Sequence, residues 1–242
     1  VPIFIGAVIY YSMNVFNITA IIPVLNRPKN VSTLINSFLE TSPLDRVKIL
    51  FVTSFDCEEE VKEIKKFSGP IYIGFAPNEI LSWSQRINWG IIYSNVNNNS
   101  NNWILCGADD LRFLPNWFEE AEKASKDFDG VIGTNDLGNP RCIMGIHSTH
   151  PIVSRKYIME QGTIDGELGK LCCELYRHNY ADDDLVLTAK KRNAWKHASY
   201  IHIEHLHPAW QKANWDSIYQ IGNDNWNHDQ QLFEYRKRLF NF

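Results

Sequence analysis

Cysteine is scarce in this chain and irregularly placed. Five occur in 242 residues, an odd count without the regular spacing of a disulfide framework. Adjacent Cys172 and Cys173 are poorly disposed to share one tetrahedral metal site, and Cys106 sits in an apolar run as a buried thiol. A reducing, cytoplasmic setting is the simplest expectation. Long apolar runs are also missing. Val1 to Tyr11 is apolar but only eleven residues long, short of the roughly 20 that span a bilayer, and it lacks the basic start of a signal peptide. No integral membrane segment is therefore expected. Nor is there an excess of one charge: the net value is −4, which argues against a general polyanion binder. Two local basic clusters, Lys190-Lys191-Arg192 and Arg236-Lys237-Arg238, read as solvated helix faces. Internal repeats and linker-like composition are absent, so one continuous domain is expected.

What is present suffices for a large core. Hydrophobic residues make up 44% of the chain and charged ones 21%. Residues 1–12 are set apart as an extension, a processed remnant or an extra strand, and 13–242 are read as the domain. Asn17 to Val24 is β-branched and apolar, a buried strand broken by Asn26-Arg27-Pro28. Leu34, Ile35 and Phe38 then mark one face of a helix over 31–39. Further strands are expected at 47–53, 71–75 and 103–106. Helices are expected at 58–67, 82–94 and 115–125, and an asparagine-rich loop at 95–102. Strand and helix alternate through this stretch, the pattern of a parallel doubly wound sheet with ligands beyond the carboxyl ends of its strands. After Gly130 the alternation fades. The segments 131–133 and 200–207 read as strands, and 183–192 and 229–240 as helices.

Three polar groups fall at strand ends: Asn26 with Arg27, Ser54 with Asp56, and Asp109 with Asp110. Carboxylates there can hold Mg²⁺ or Mn²⁺, which neutralises a diphosphate; the same pair could simply open a turn. His205 and His207 lie two apart on an expected strand and so share a face, beside which carboxylates would suit Mn²⁺. Either one could bind. Asp182-Asp183-Asp184 precedes a helix, where one acid can cap and another can serve as general base. His147 to His150 lines an acceptor region or is a polar loop. Trp195, Trp210, Trp215 and Trp226 either pack in the core or stack on a sugar ring or base.

These segments, in this order, resemble nucleotide-sugar glycosyltransferases of the GT-A fold, in particular the inverting family 2. Ile21-Ile22-Pro23-Val24-Leu25-Asn26-Arg27-Pro28 resembles the family's first strand and nucleotide-binding turn. Gln85-Arg86-Ile87-Asn88-Trp89-Gly90 resembles its Arg-Asn-x-Gly helix, Trp103 to Pro115 its metal segment, and Ala181-Asp182-Asp183-Asp184-Leu185 its Glu-Asp-x-Asp-Leu element. Gly107 replaces the first acid of the usual Asp-x-Asp, and Ala181 replaces the Glu. The late His-x-His-Pro also resembles small bacteriophage members.

The resemblance implies a nucleotide-sugar-binding half over about 17–115 and an acceptor half over about 130–242. It implies Asp182 as general base. Pro23, Asn26, Asp56, Arg86 and Asp109 would contact the donor, a UDP-sugar first of all. Asp109, Asp110 and His205 or His207 would hold Mn²⁺ or Mg²⁺. The acceptor could be a glycan, a protein or a modified nucleic-acid base. Three rivals remain. One is a non-catalytic binding module of the same fold, which Gly107 and Ala181 favour. Another is a nucleotidyltransferase, which would need a glycine-rich basic loop where Asn26-Arg27-Pro28-Lys29 stands. The third is a metal hydrolase using His and Asp ligands.

Overall fold

A computed structural model describes residues 16–80, 82–96 and 102–240. The apolar stretch set apart at 1–12, and most of the asparagine-rich loop, lie outside the described residues. The first half follows the expected alternation: β1 (Ile18–Pro23), α1 (Pro28–Thr41), β2 (Val47–Thr53), α2 (Glu58–Ile64), β3 (Ile71–Phe75), α3 (Trp83–Val96) and β4 (Trp103–Cys106). The second half runs β5 (Leu111–Phe113), α4 (Trp117–Ser125), β6 (Val131–Asn135), α5 (Pro140–Ile143), β7 (Ile152–Ser154), α6 (Arg155–Gln161), α7 (Ala181–Lys191), β8 (Trp195–His205) and α8 (Ser217–Phe240).

All eight strands form one sheet in the order β3-β2-β1-β4-β7-β6-β8-β5. β1 to β4 are parallel, and both faces are covered, which period-two side-chain alternation explains. Ile18, Ala20 and Ile22 of β1, with Ile49 and Phe51 of β2, pack on one side against Leu34, Ile35 and Phe38 of α1. Ile21, Leu50 and Val52 pack on the other against Ile87 and Ile91 of α3. The chain leaves β1 toward β2 and β3, then returns to place β4 on the opposite flank. That reversal is a topological switch point, where loops after β1 and β4 diverge and leave a crevice.

Beyond β4 the sheet is mixed. β7 runs antiparallel to β4 and β6, and β5 runs antiparallel to β8. The β5–β8 register sets Leu111 opposite His205. The N–H of Leu206 donates to the carbonyl of Asp110 at 2.8 Å. The acids after β4 and the end of β8 therefore meet, although 95 residues apart in sequence.

The sequence reading has no counterpart for β5, α5, β7 or α6, and two of its later elements have different bounds. β8 ends at His205, and His207 caps a 3₁₀ turn over Pro208–Trp210. α8 begins at Ser217, well before the expected 229. Its first turns are polar, and its inner face is buried through Tyr219, Gly222 and Asp229. Gly222 lies so close to His178 that an added Cβ would sit 2.6 Å from the ring. Burial by polar contact leaves no hydrophobic period to read. All five cysteines are free and buried. Among the described residues, no helix is long and apolar enough to cross a membrane.

Candidate active site

A cleft of ≈ 510 Å³ opens at the switch point. It is lined by Pro23, Arg86, Asp109, Asp110, Asp182, His205 and His207 among the residues proposed from sequence. Its floor holds a compact donor set of Asp110, His150 and His205, with one ligand atom from each within 4.8 Å of the others. Asp110 and His150 are fixed from behind. Tyr219 Oη donates to Asp110 Oδ2 at 2.8 Å, leaving Oδ1 without a hydrogen-bond partner. His150 Nδ1 donates to the Cys106 carbonyl at 3.2 Å, leaving Nε2 buried and unpartnered. His205 Nε2 lies 3.3 Å from Asp110 Oδ1, and its Nδ1 is also buried and unpartnered. Buried polar atoms are rarely left without partners. Here Asp110 Oδ1 and His150 Nε2, orphaned beside the imidazole of His205, fit a divalent cation. The bond from His150 Nδ1 to a backbone carbonyl is the usual device that aims the other ring nitrogen at a metal.

His207 differs. Its ring centroid is 5.0 Å from that of His205, but its Nδ1 accepts the Ala209 N–H at 3.1 Å. A neutral His207 ring therefore carries its proton on Nε2, making it a donor into the cleft rather than a ligand. Burial and the neighbouring His205 push its pKa down to about 4. Burial and His205 also bring His150 down to about 4.

Asp109 sits beside this set. Arg27 Nη1 donates to Asp109 Oδ1 at 3.2 Å and lies 3.7 Å from Asp110 Oδ2. The rest of the Arg27 guanidinium grips Asp216 at 2.8 and 3.0 Å and lies 3.7 Å over the Tyr219 ring. Burial and the adjacent Asp110 raise the Asp109 carboxyl to about 7, against the pull of Arg27. Burial works against the charge of Asp110 as well, but His205, His150 and Tyr219 hold it below the usual carboxylate range.

Also lining the cleft, α7 begins at Ala181 after Tyr180, which takes the left-handed conformation (φ 64°). Asp182 Oδ2 bonds His147 Nε2 at 3.0 Å, and Oδ1 accepts the Asp183 N–H at 3.0 Å. Despite burial, His147 lowers the Asp182 pKa. Asp183 pairs with Arg141. Asp184 turns away to the buried Arg236 and to Tyr176, 3.0 Å from its hydroxyl. His147 and His150 belong to one pinned segment. Ser148 Oγ accepts the Thr134 N–H, Thr149 Oγ1 donates to Asp136, and the His150 carbonyl accepts from Thr134.

No family model matches this sequence, and no curated protein does. Solved structures do match in three dimensions. The mannosyltransferase PcManGT from Pyrobaculum calidifontis, solved with GDP-Man and Mn²⁺, superposes with a TM-score of 0.59 at 11% identity. The match covers 78% of this chain and 56% of that one. Residues 1–349 of TarS from S. aureus, solved with UDP-GlcNAc, superpose with a TM-score of 0.61 at 13% identity. There 85% of this chain and 64% of the other are covered. The protein has the GT-A fold. It spans less than two thirds of the length of either neighbour.

Within this GT-A fold the remaining site residues scatter. Pro23 and Arg86 line the cleft. The Arg86 guanidinium is spent on the carbonyls of Val24, Val52 and Ile80 and on Ser54 Oγ. It staples the carboxyl ends of β1 and β2. Asn26 and Asp56 line a neighbouring acidic hollow with Glu58, Glu59 and Glu60, outside the main cleft. Trp210 and Trp226 line the cleft, while Trp195 packs against the α3-side core and Trp215 is largely exposed. Neither basic cluster lines it. Arg192 and Lys191 bond backbone carbonyls, and Arg236 is buried. Tyr219 is absent from the sequence reading, which has Arg27 only among the strand-end polar groups and His150 only in a candidate acceptor segment. The only sequence signal for His150 was a histidine pair in a polar segment, which carries no period.

Proposed function

We propose that the protein is a metal-dependent glycosyltransferase that moves a sugar from a nucleoside-diphosphate sugar to an acceptor hydroxyl with inversion. The observation that carries this reading is one cleft, at the switch point of a GT-A sheet, that is lined by both a cation-ready donor set and the Asp182 carboxylate. Asp110 and His205, joined by His150, would hold the ion. When bound, it supplies Lewis-acid stabilisation to the departing diphosphate.

The chain's own groups do the rest. Pro23 and the backbone held by Arg86 shape the nucleoside end. Asp109 faces the donor beside Arg27, whose charge offsets the acid pair. The Nε2–H of His207 points a neutral donor at the phosphates. Asp182 takes the proton of the acceptor hydroxyl. The acceptor oxygen then bonds the anomeric carbon as the bond to the diphosphate breaks from the opposite face. A carboxylate has about four lone-pair sites, so Asp182 can accept that proton while keeping its bonds to His147 and to the Asp183 N–H. Like any carboxylate it is ionised at neutral pH, the state a general base requires, and the His147 that lowers its pKa makes it a weaker base than a free carboxylate. Trp210, Trp226 and Tyr180 offer apolar faces to the acceptor.

The rival reading as a non-catalytic module drew on Gly107 and Ala181. Packing accounts for the first: a Cβ at Gly107 would lie 2.3 Å from Ile22 Cδ1. An acid there requires the end of the Ile22 side chain to move and brings its Cβ to 3.3 Å from the Ile21 carbonyl oxygen. Ala181 is buried at 3% exposure. The test is a thermal-shift panel of UDP-, GDP-, CMP- and dTDP-sugars with and without Mn²⁺. The expected result is stabilisation by one nucleotide, a UDP-sugar first, that needs metal and disappears in Asp110→Ala. A flat panel with folded protein overturns the reading.

A further inference from the structure

We infer that this site binds its ion through the protein alone, ahead of any nucleotide, and that His150 makes it a transition-metal site that discriminates against Mg²⁺. The inference deepens the proposed function but rests on the donor set itself. Two of the three ligand atoms are imidazole nitrogens. Mg²⁺ demands oxygen ligands and sheds its water reluctantly. Imidazole favours first-row transition ions, with affinity rising from Mn²⁺ through Co²⁺.

Two features make nucleotide unnecessary for binding. The first is ligand number, because three protein groups converge before any phosphate arrives. The second is preorganisation. Asp110 is 6% exposed and His150 3%, and each has its outward-facing atom already fixed. Tyr219 Oη and Arg27 occupy Asp110 Oδ2, so Oδ1 alone turns to the set. The Cys106 carbonyl sets the His150 tautomer. The backbone N–H of His205 is bonded to the Asp136 carbonyl at 3.0 Å, and β8 holds its position against β5. An ion entering here finds Asp110 and His150 already ordered and gives a partner to the orphaned Asp110 Oδ1 and His150 Nε2. The unpartnered His150 Nε2 is the deciding observation. With a hydrogen bond elsewhere, this ring would be a packing residue and the site would have two ligands.

The test uses the full chain, stripped with chelator and free of nucleotide. Titration with MnCl₂, CoCl₂, ZnCl₂ and MgCl₂ is followed by calorimetry and melting temperature. Tight binding of Co²⁺ and Zn²⁺, weaker binding of Mn²⁺, and at least tenfold weaker binding of Mg²⁺ than Mn²⁺ are expected. His150→Ala should lose at least tenfold in Mn²⁺ affinity. Should that variant fail to fold, pulsed electron paramagnetic resonance of the Mn²⁺-loaded wild type counts coordinated imidazole nitrogens, and two are expected. The inference is overturned by equal responses to Mg²⁺ and Mn²⁺, by a single coordinated nitrogen, or by metal binding that appears only with a UDP-sugar present. That last outcome would leave the glycosyltransferase reading intact. Tight metal binding with a flat nucleotide panel would do the reverse.

Discussion

On the β1–β4 side, the space between sheet and helices is filled by Ile18, Ile22, Phe51, Leu34 and Phe38 on one face and Ile21, Val52 and Ile87 on the other. On the β5–β8 side, much of the corresponding work falls to polar groups. Asp229, fully buried on α8, accepts the backbone N–H groups of Arg177, His178 and Asn179 at 2.7–3.0 Å. Arg236, from the same helix, binds Asp184 of α7 and Asp165. Asp136 accepts from the N–H groups of Gly138 and Asn139 and from Thr149. Apolar contact is non-directional and tolerates small shifts. A buried carboxylate with three N–H donors does not. The first half therefore supplies a rigid sheet edge, and the second fixes loop atoms at defined points around the cleft.

The contrast is broken most sharply by two substitutions of similar energetic size. Asp182→Asn should cut turnover by about 10²–10⁴-fold while leaving the melting temperature nearly unchanged, as steady-state kinetics and calorimetry would show. Phe38→Ala should remove about 3–5 kcal/mol of stability, yet its folded fraction should bind Mn²⁺ as the wild type does. If Phe38→Ala weakens metal binding as much as it weakens folding, the division of labour fails.

A comparable effect is expected where structure and site overlap. Asp229→Ala leaves three loop N–H groups without their acceptor, at about 1–3 kcal/mol for each that stays buried. Because residues 178–180 line the cleft, this variant should lose stability and donor binding together. Hydrogen exchange at 177–179 should rise before global unfolding does.

The smallest effect concerns pH. Arg236 holds the Asp165 carboxyl down to about 2, below its ordinary 3.8. A depressed carboxyl contributes stability that is present above the unfolded value and is lost as pH falls through the folded one. Stability from this pair should decline between about pH 4 and 2. With the Asp165 side chain 40% exposed, the loss should stay below about 1 kcal/mol. Asp165→Asn should flatten that part of the acid-unfolding curve.

The same contrast explains what the sequence made legible. β1 to β4 and their helices announce themselves because alternation within six or seven residues reports burial directly. Asp109, Asp110 and Asp182 stand out because acids after an apolar strand or before a helix are locally unusual. His150 does not stand out. Its role depends on β7 entering beside β4, which places the residue next to Cys106, and nothing in the neighbouring residues encodes that pairing. Tyr219 and Asp229 were hidden for a related reason. They lie in helical turns whose inner face is polar, so the period that betrays an amphipathic helix is missing.

The grip of Tyr219 on Asp110 spans 109 residues, and that of Arg27 on Asp216 spans 189. A chain made from its N-terminus at about 5–20 residues per second exposes Asp110 for roughly 5–20 seconds before Tyr219 exists. In that interval the parallel strands can pair, but the acid lacks its phenol, and for most of it the histidine of β8 as well. The proposed cation site is thus completed late in the life of each molecule, its Asp110 fixed only once the emerging C-terminal helix has returned to the turn after β4. A nascent chain arrested before α8 would carry most of a sheet but an unfinished ion site.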